Sequence, residues 1–412
     1  MLMRYAERMW HGEARMEGLL NGDLPQGVAF DIADGIAVVP TFANVIVLAT
    51  DEGLVLFDTG APNTARRNHR AIRAWRDDPV RYAIYSHGHI DHVLGLGPFD
   101  EEADRNGRER PVVVAHEAVK DRFDRYTLTR DYNQVVNARQ FANPKFRWPE
   151  TFRYPDLTYR DDHRLRVGGL TFELHHARGE TDDHTWAYVP ERDLLLAGDL
   201  FIWNSPNCGN PQKVQRYPAE WAAALRAMAE LDASLLLPGH GVPIAGKDRV
   251  RTALTDVAEY LESLVSQTLE LMNGGARLSE IIHTVRAPEH LAAKPYLRAA
   301  YDEPEFIVRN IWRLYGGWWD GDPASLKPPR SDRLASVLAE LAGGPHDLAE
   351  RARRALEEDS EPRLAASLIE LARQAAPEDD AIKDAYRHIF SALSQSATSL
   401  MTRGIYLAAA NG

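Results

Sequence analysis

The sequence predicts an α/β fold, a layered α/β/β/α domain followed by an all-helical region. Three observations carry that expectation. Between about Gly35 and Leu237 the chain repeats short apolar runs broken by turns, with helical segments between them. After Gly246 the pattern changes to almost pure helix. One early run ends directly in Ser86-His87-Gly88-His89-Ile90-Asp91-His92, a dense group of metal-capable side chains.

The first strand-like runs are residues 36–39, 45–49 and 54–57, the last two joined by the turn Thr50-Asp51-Glu52-Gly53. Later runs are 82–85, 112–115, 170–174, 185–189, 194–197 and 235–237. Helical segments at 63–76 and 219–231 intervene, as expected of sheets covered by helices. Beyond Gly246, Val250, Leu254, Val257, Leu261, Leu264, Thr268 and Leu271 follow 3–4 spacing, and Gly274-Gly275 supplies a stop. An aromatic, glycine-rich stretch runs from Tyr301 to Gly321. Further helices follow, broken by Gly343-Gly344-Pro345, residues 360–362 and Pro377. Leu364, Leu368, Leu371 and Ala375 mark one face of that tail, which reads as a small helical domain without chemistry. The expected division is an N-terminal extension (1–30), a mixed α/β domain (31–246), a helical domain (247–330) and a small helical C-terminal domain (331–412).

Composition narrows the class. With 44% hydrophobic and 26% charged residues, the 412-residue chain resembles a soluble globular protein with room for two or three domains. A net charge of −12 argues against a general affinity for nucleic acid or acidic membranes, although it leaves room for a local cationic pocket. The single cysteine, Cys208, excludes an intrachain disulfide and a cysteine-rich zinc site, and fits a reducing compartment. Residues 1–23 hold no apolar run of signal-peptide length, and no stretch approaches a membrane span. A cytoplasmic protein without nucleic-acid or membrane partners is expected.

His87, His89, Asp91 and His92 place three imidazoles and a carboxylate within six residues. Packing does not explain such a cluster, because burying unpaired imidazoles and carboxylates is costly. Borderline divalent metals favour such nitrogen and oxygen donors, and zinc is the commonest choice.

His87-x-His89-x-Asp91-His92 resembles the HxHxDH signature of the metallo-β-lactamase superfamily. Leu56-Phe57-Asp58-Thr59-Gly60, Ala197-Gly198-Asp199 and Leu237-Pro238-Gly239-His240-Gly241 resemble its other motifs, in the right order. The resemblance implies an αββα sandwich and two divalent metal ions. His87 and His89 would bind the first, Asp91, His92 and His240 the second, and Asp199 both, with Asp58 supporting them from behind. Asp91 and Asp199 are then the catalytic carboxylates, because a hydroxide held between two cations is a nucleophile at neutral pH. Where most of the superfamily reads Gly-His-Thr, this chain reads Gly179-Glu180-Thr181-Asp182-Asp183-His184-Thr185. The register makes Glu180 the third ligand of the first metal, with His184 as its competitor.

The stretches Tyr301-Asp302-Glu303-Pro304-Glu305-Phe306 and Tyr315-Gly316-Gly317-Trp318-Trp319-Asp320-Gly321 resemble the dimerisation segment of alkyl sulfatases in the same superfamily. Those enzymes also use a glutamate ligand, but one position later, and they bridge their metals with glutamate where this chain has Asp199. They usually carry a lipid-carrier-like C-terminal domain, for which the chain after Ser331 is short. The resemblance implies a homodimer that hydrolyses alkyl sulfate esters. Between Asp199 and His240, residues 201–217 are too polar and too broken by proline and glycine for a strand or helix. There Asn207, Lys213 and Arg216 are candidates for holding an anionic head group. A second polar stretch, 130–141 with Asn133, Asn137 and Arg139, also resembles alkyl sulfatases, with a solvated helix as the plainer reading. The same metal site could serve carboxylic esters, lactones, thioesters or phosphoesters, since fold does not choose substrate. A non-catalytic ligand-binding dimer is the reading from another class. His69, His116, His175, His176 and Cys208 are assigned no chemistry.

Overall fold

The computed structural model describes residues 1–412, which form two compact units. The first comprises Met1–Arg130, Pro149–Gly274 and Ile282–Tyr315 and holds two sheets. In the first sheet, β1 (Phe30–Ala33), β2 (Ile36–Val39), β3 (Val45–Thr50), β4 (Gly53–Phe57), β5 (Val80–Ile84), β6 (Val112–His116) and β7 (Leu157–Tyr159) lie in chain order. Pairing is antiparallel from β1 to β4 and parallel from β4 to β7. The second sheet contains β8 (Asp162–Val167), β9 (Leu170–His176), β10 (Thr185–Val189), β11 (Leu194–Ile202), β12 (Leu235–His240) and β13 (Ile244–Ala245). Its order is β13-β12-β11-β10-β9-β8, and only β11 and β12 run parallel.

Strands buried on both faces read as unbroken apolar runs. All of Gly53–Phe57 and Leu194–Ile202 are buried, which is why these runs were legible. Helices Ala65–Trp75, Gly97–Arg105 and Ala118–Leu128 lay Ala71, Ile72, Phe99, Val119 and Phe123 onto Val47, Leu54, Leu56 and Val113 of the first sheet. Each large side chain so buried contributes about 1.5–3 kcal/mol.

Several expectations change. β1, β7, β8 and β13 carry no apolar run, and β8 alternates exposed charge with buried Leu165 and Val167. β11 continues through Phe201 and Ile202, which the sequence reading left in the following loop. The helix Lys247–Asn273 does not begin a separate domain. Its buried face, including Val250, Leu254, Val257, Leu261 and Leu264, packs with helix Pro218–Glu230 inside the first unit. Nor do residues 1–30 stand apart, since Trp10 stacks on Tyr296 and Glu7 pairs with Arg249.

The second unit comprises Asp131–Trp148, Gly275–Ile281 and Gly316–Gly412. Its main helices are Ser331–Ala342, Pro345–Glu357, Pro362–Ala375, Asp380–Ser396 and Leu400–Asn411. Their core is built largely from small residues, with Ala339, Ala349, Ala352, Ala355, Ala365 and Ala372 beside Ile369, Ile382, Ile389 and Phe390. The buried face of Pro362–Ala375 is thus Ala365, Ile369 and Ala372. The expected stripe lies beside it, with Leu364 exposed and Leu368, Leu371 and Ala375 half-buried, because alanines at the tight contact outrank leucines at its rim. Helix Arg130–Gln140 exposes Tyr132 and Val135 but buries Val136, Asn137 and Gln140, so it is not solvated all round. No helix is long and apolar enough to cross a membrane.

Candidate metal centre

Four strand ends converge. β4 leads into Asp58, β5 into Ser86 and His87, β11 carries Asp199, and β12 ends in His240. Ligand sites of α/β sheets form at the carboxyl ends of parallel strands, where main-chain direction delivers loops to one edge. The β11–β12 register shifts around Gly198, and such an irregularity re-aims the side chains that follow it. Gly198 sits at φ 52°, and a Cβ there would stand 2.7 Å from both His184 and Ser86, so only glycine fits.

Two groups of donors result. Ligand atoms of His87, His89, Glu180 and Asp199 lie within 4.8 Å of one another, as do those of Asp91, His92 and His240. His87 Nε2 and His89 Nδ1 are 2.8 Å apart, and each is within 4 Å of Glu180. In the second group, His92 Nε2 stands 3.6 Å from Asp91 Oδ2, and His240 Nε2 stands 3.6 Å from the same oxygen. Asp199 reaches both groups, with Oδ2 3.9 Å from His87 and 3.2 Å from His240, and Oδ1 3.4 Å from His92.

The electrostatics suit cations. Burial, then the neighbouring His92 and His89, hold His87 well below the usual imidazole range; burial, Arg122 and Arg216 do the same for His89. Neutral imidazoles are the ligand form. Burial pushes Glu180 up to about 8 against the pull of Arg216. Burial opposes the charge on Asp199, but His240 and His92 hold it well below the carboxylate range. His92 Nε2 and Asp199 Oδ1 are buried without a hydrogen-bond partner, as expected of atoms shaped to share a cation. The donor set therefore fits divalent metal.

Behind the donors lies a polar frame. Asp58 accepts from Ser86 N (2.7 Å) and Ser86 Oγ (2.7 Å), and its Oδ2 meets His92 Nδ1 at 2.6 Å. That leaves His92 Nε2 facing the site. Asp58 adopts φ 60°, rare for a residue with a side chain, and these three bonds hold it there. The Ser86 hydroxyl also meets His87 Nδ1 at 2.9 Å. Asp183 accepts from Gly88 N (3.0 Å) and from Arg122 Nε (2.7 Å), tying the 86–92 loop to the 180–184 turn through a fully buried ion pair.

Every predicted ligand lies in one of the two groups. His184 does not: its Nε2 accepts from Asp199 N at 3.0 Å, so it braces the strand, and burial lowers it to about 3. Asn207 and Arg216 do not stand open as an anion pocket. Asn207 donates to Glu180 Oε1, and Arg216 Nη1 donates to Glu180 Oε1 (2.6 Å) and to its carbonyl (2.9 Å). Arg216 Nε remains buried without a partner. Half-buried Lys213 is lowered to about 8 by burial and by Arg216, and Asp91 and Glu180 are close enough to oppose that. His175 pairs with Asp162, and His116 stacks on His176 at 3.7 Å. The sequence reading missed Arg122, Asp183 and Tyr301. Burial raises the Tyr301 phenol well above its usual range, and the charges of Asp91 and Glu180 add to the shift. Only the aromatic segment around Tyr301 hinted at its use.

The family model described as Metallo-beta-lactamase superfamily matches residues 38–240, and that described as Alkyl sulfatase dimerisation matches 277–412. A linear primary-alkylsulfatase of Pseudomonas sp. (strain ATCC 19151) is 28% identical over 72% of this chain and 60% of its own length. An (R)-specific secondary-alkylsulfatase of Pseudomonas sp. is 28% identical over 76% of this chain and 51% of its own. The chain thus spans little more than half the length of these relatives. A solved stereoselective inverting sec-alkylsulfatase from Pseudomonas sp. superimposes with a TM-score of 0.83 at 24% identity, over 93% of this chain and 65% of that one, which shows the fold.

Proposed function

We propose that this chain, whose residues 38–240 match the metallo-β-lactamase superfamily and which resembles the alkyl sulfatases of that superfamily, is a two-metal hydrolase of alkyl sulfate esters. The observation that carries the reading is the pair of donor groups joined by Asp199. His87, His89 and Glu180 would hold one divalent cation, Asp91, His92 and His240 the other, and Asp199 both. Such ions, zinc being the commonest for these donors, supply Lewis acidity and an acidified water near neutral pH.

The protein's own part is to hold and orient. Asp58 fixes the His92 ring through Nδ1 and, through Ser86, steadies His87. Asp91 and Asp199 are the carboxylates beside which attack takes place. Lys213 supplies positive charge for the sulfate oxygens, while Asn207 and Arg216 keep Glu180 in place. The match to the dimerisation family supports a homodimer, and the lone Cys208, buried and unpaired, fits a cytoplasmic setting.

The test is a panel of dodecyl sulfate, carboxylic esters, a lactone, a thioester and phosphoesters, with released product measured for each. Sulfate release from dodecyl sulfate, with a raised KM in Lys213→Ala, supports the proposal. Turnover confined to the other esters moves the same site to another substrate. Metal-loaded protein that turns over none of them is a ligand-binding dimer.

A further inference from the structure

We infer that Asn310 is a positioning residue for the metal site, acting through Arg216 on Glu180. The inference rests on the reading of Glu180 as a metal ligand. Asn310 is buried on helix Pro304–Gly316, outside the segment matched by the metallo-β-lactamase family and inside that matched by the dimerisation family. Its side-chain amide clasps one residue of the loop after β11 from both sides. Nδ2 donates to the Arg216 carbonyl (3.0 Å), and Oδ1 accepts from Arg216 N (3.2 Å) and Gln215 Nε2 (2.8 Å). A neighbouring strand would satisfy a backbone this way, but the loop has none. The Arg216 carbonyl also accepts from Gln215 Nε2 (2.9 Å), so the N–H is the group that depends on Asn310, and a buried N–H without a partner would not stay in place.

The consequence reaches the donors. With its backbone fixed, Arg216 delivers Nη1 to the Glu180 carboxylate and carbonyl. The same loop is pinned twice more to the segment that begins this helix. Asp302 Oδ2 accepts from Gly209 N (2.6 Å), and the Asp302 carbonyl accepts from Ser205 Oγ (2.9 Å). Gly209 lies flush on the Phe306–Ile307 backbone, where a Cβ would come within 2.1 Å of Phe306 C, so any side chain would lift the loop away. The site is therefore incomplete within residues 38–240. Its glutamate is set by the first long helix of the dimerisation-type segment, so changes that move this helix would be felt at the metal.

The test uses the full chain reconstituted with cobalt(II), reading the visible spectrum and the metal affinity by chelator competition. Asn310→Asp is isosteric and keeps the acceptor while losing the Nδ2 donor; Asn310→Ala removes both. Asn310→Asp, which keeps the acceptor for Arg216 N, is expected to have the smaller effect, and Asn310→Ala to weaken one cobalt of the pair about tenfold and to shift its visible band. Arg216→Ala should do the same, and the Asn310→Ala/Arg216→Ala double variant should lose little more than either single one. Unchanged affinity and spectrum in both Asn310 variants, or additive losses in the double variant, would overturn the inference. Glu180→Ala separates the two levels. If it keeps both metals at full affinity, the ligand reading fails; if it loses one while the Asn310 variants do not, only the positioning role fails.

Discussion

The strand ends that form the metal site and the helical core of the second unit are both well buried, yet they are held in opposite ways. At the strand ends the donors are framed by buried polar side chains with named partners: Asp58 with Ser86 and His92, Asp183 with Arg122 and Gly88, Arg216 with Glu180. In the helical unit the buried faces are mainly alanine, isoleucine and leucine, and polar bonds are found at caps, as where Asp379 and Ser399 accept from the first turns that follow them, and in a few pairs such as Tyr386–Glu370. The first arrangement depends on geometry and fails abruptly when one partner is removed. The second depends on volume and should tolerate exchanges that conserve it.

That contrast can be broken at graded points. The largest effect is expected from Asp199→Ala, which removes the carboxylate common to both donor groups; hydrolysis should fall to background and metal content should drop while the fold persists by circular dichroism. Next comes Arg122→Met. It leaves Asp183 charged and buried beside Gly88, and a broken buried pair costs about 3–5 kcal/mol, measurable by urea unfolding. In the helical core Ile369→Ala should cost about 2–5 kcal/mol without changing metal affinity. Asp58→Asn should fold normally but bind metal about 10–100-fold more weakly, because it loses the ionic hold on His92 Nδ1. The smallest effect belongs to Leu364→Ala, which should stay within about 0.5 kcal/mol of the parent because that side chain is exposed. A Leu364 variant as damaging as the Ile369 variant would erase the distinction between the two faces of that helix.

The same contrast explains what could be read from sequence. His87, His89, Asp91 and His92 were legible because four donors fall within six residues directly after a strand, and Gly53–Phe57 beside them was legible as an unbroken apolar run. Glu180 was singled out through its register within a motif, and the structure sets it among the donors of the first group. Arg122, Asp183, Tyr301 and Asn310 left little or no local signal, since their partners are 61 residues apart for Arg122–Asp183 and 94 for Asn310–Arg216. β8 was missed because its outward charges mask an ordinary alternation. In the tail the leucine stripe was conspicuous and the alanine contact was not, although close helix packing depends on the small residues.

The measurement closest to the central claim is the metal content of the purified and reconstituted chain by plasma mass spectrometry, read beside Glu180→Ala. Two donor groups sharing Asp199 predict close to two divalent ions per chain, falling to about one when Glu180 is removed. A chain that cannot be loaded with metal, or one that keeps a full complement without Glu180, would contradict the account.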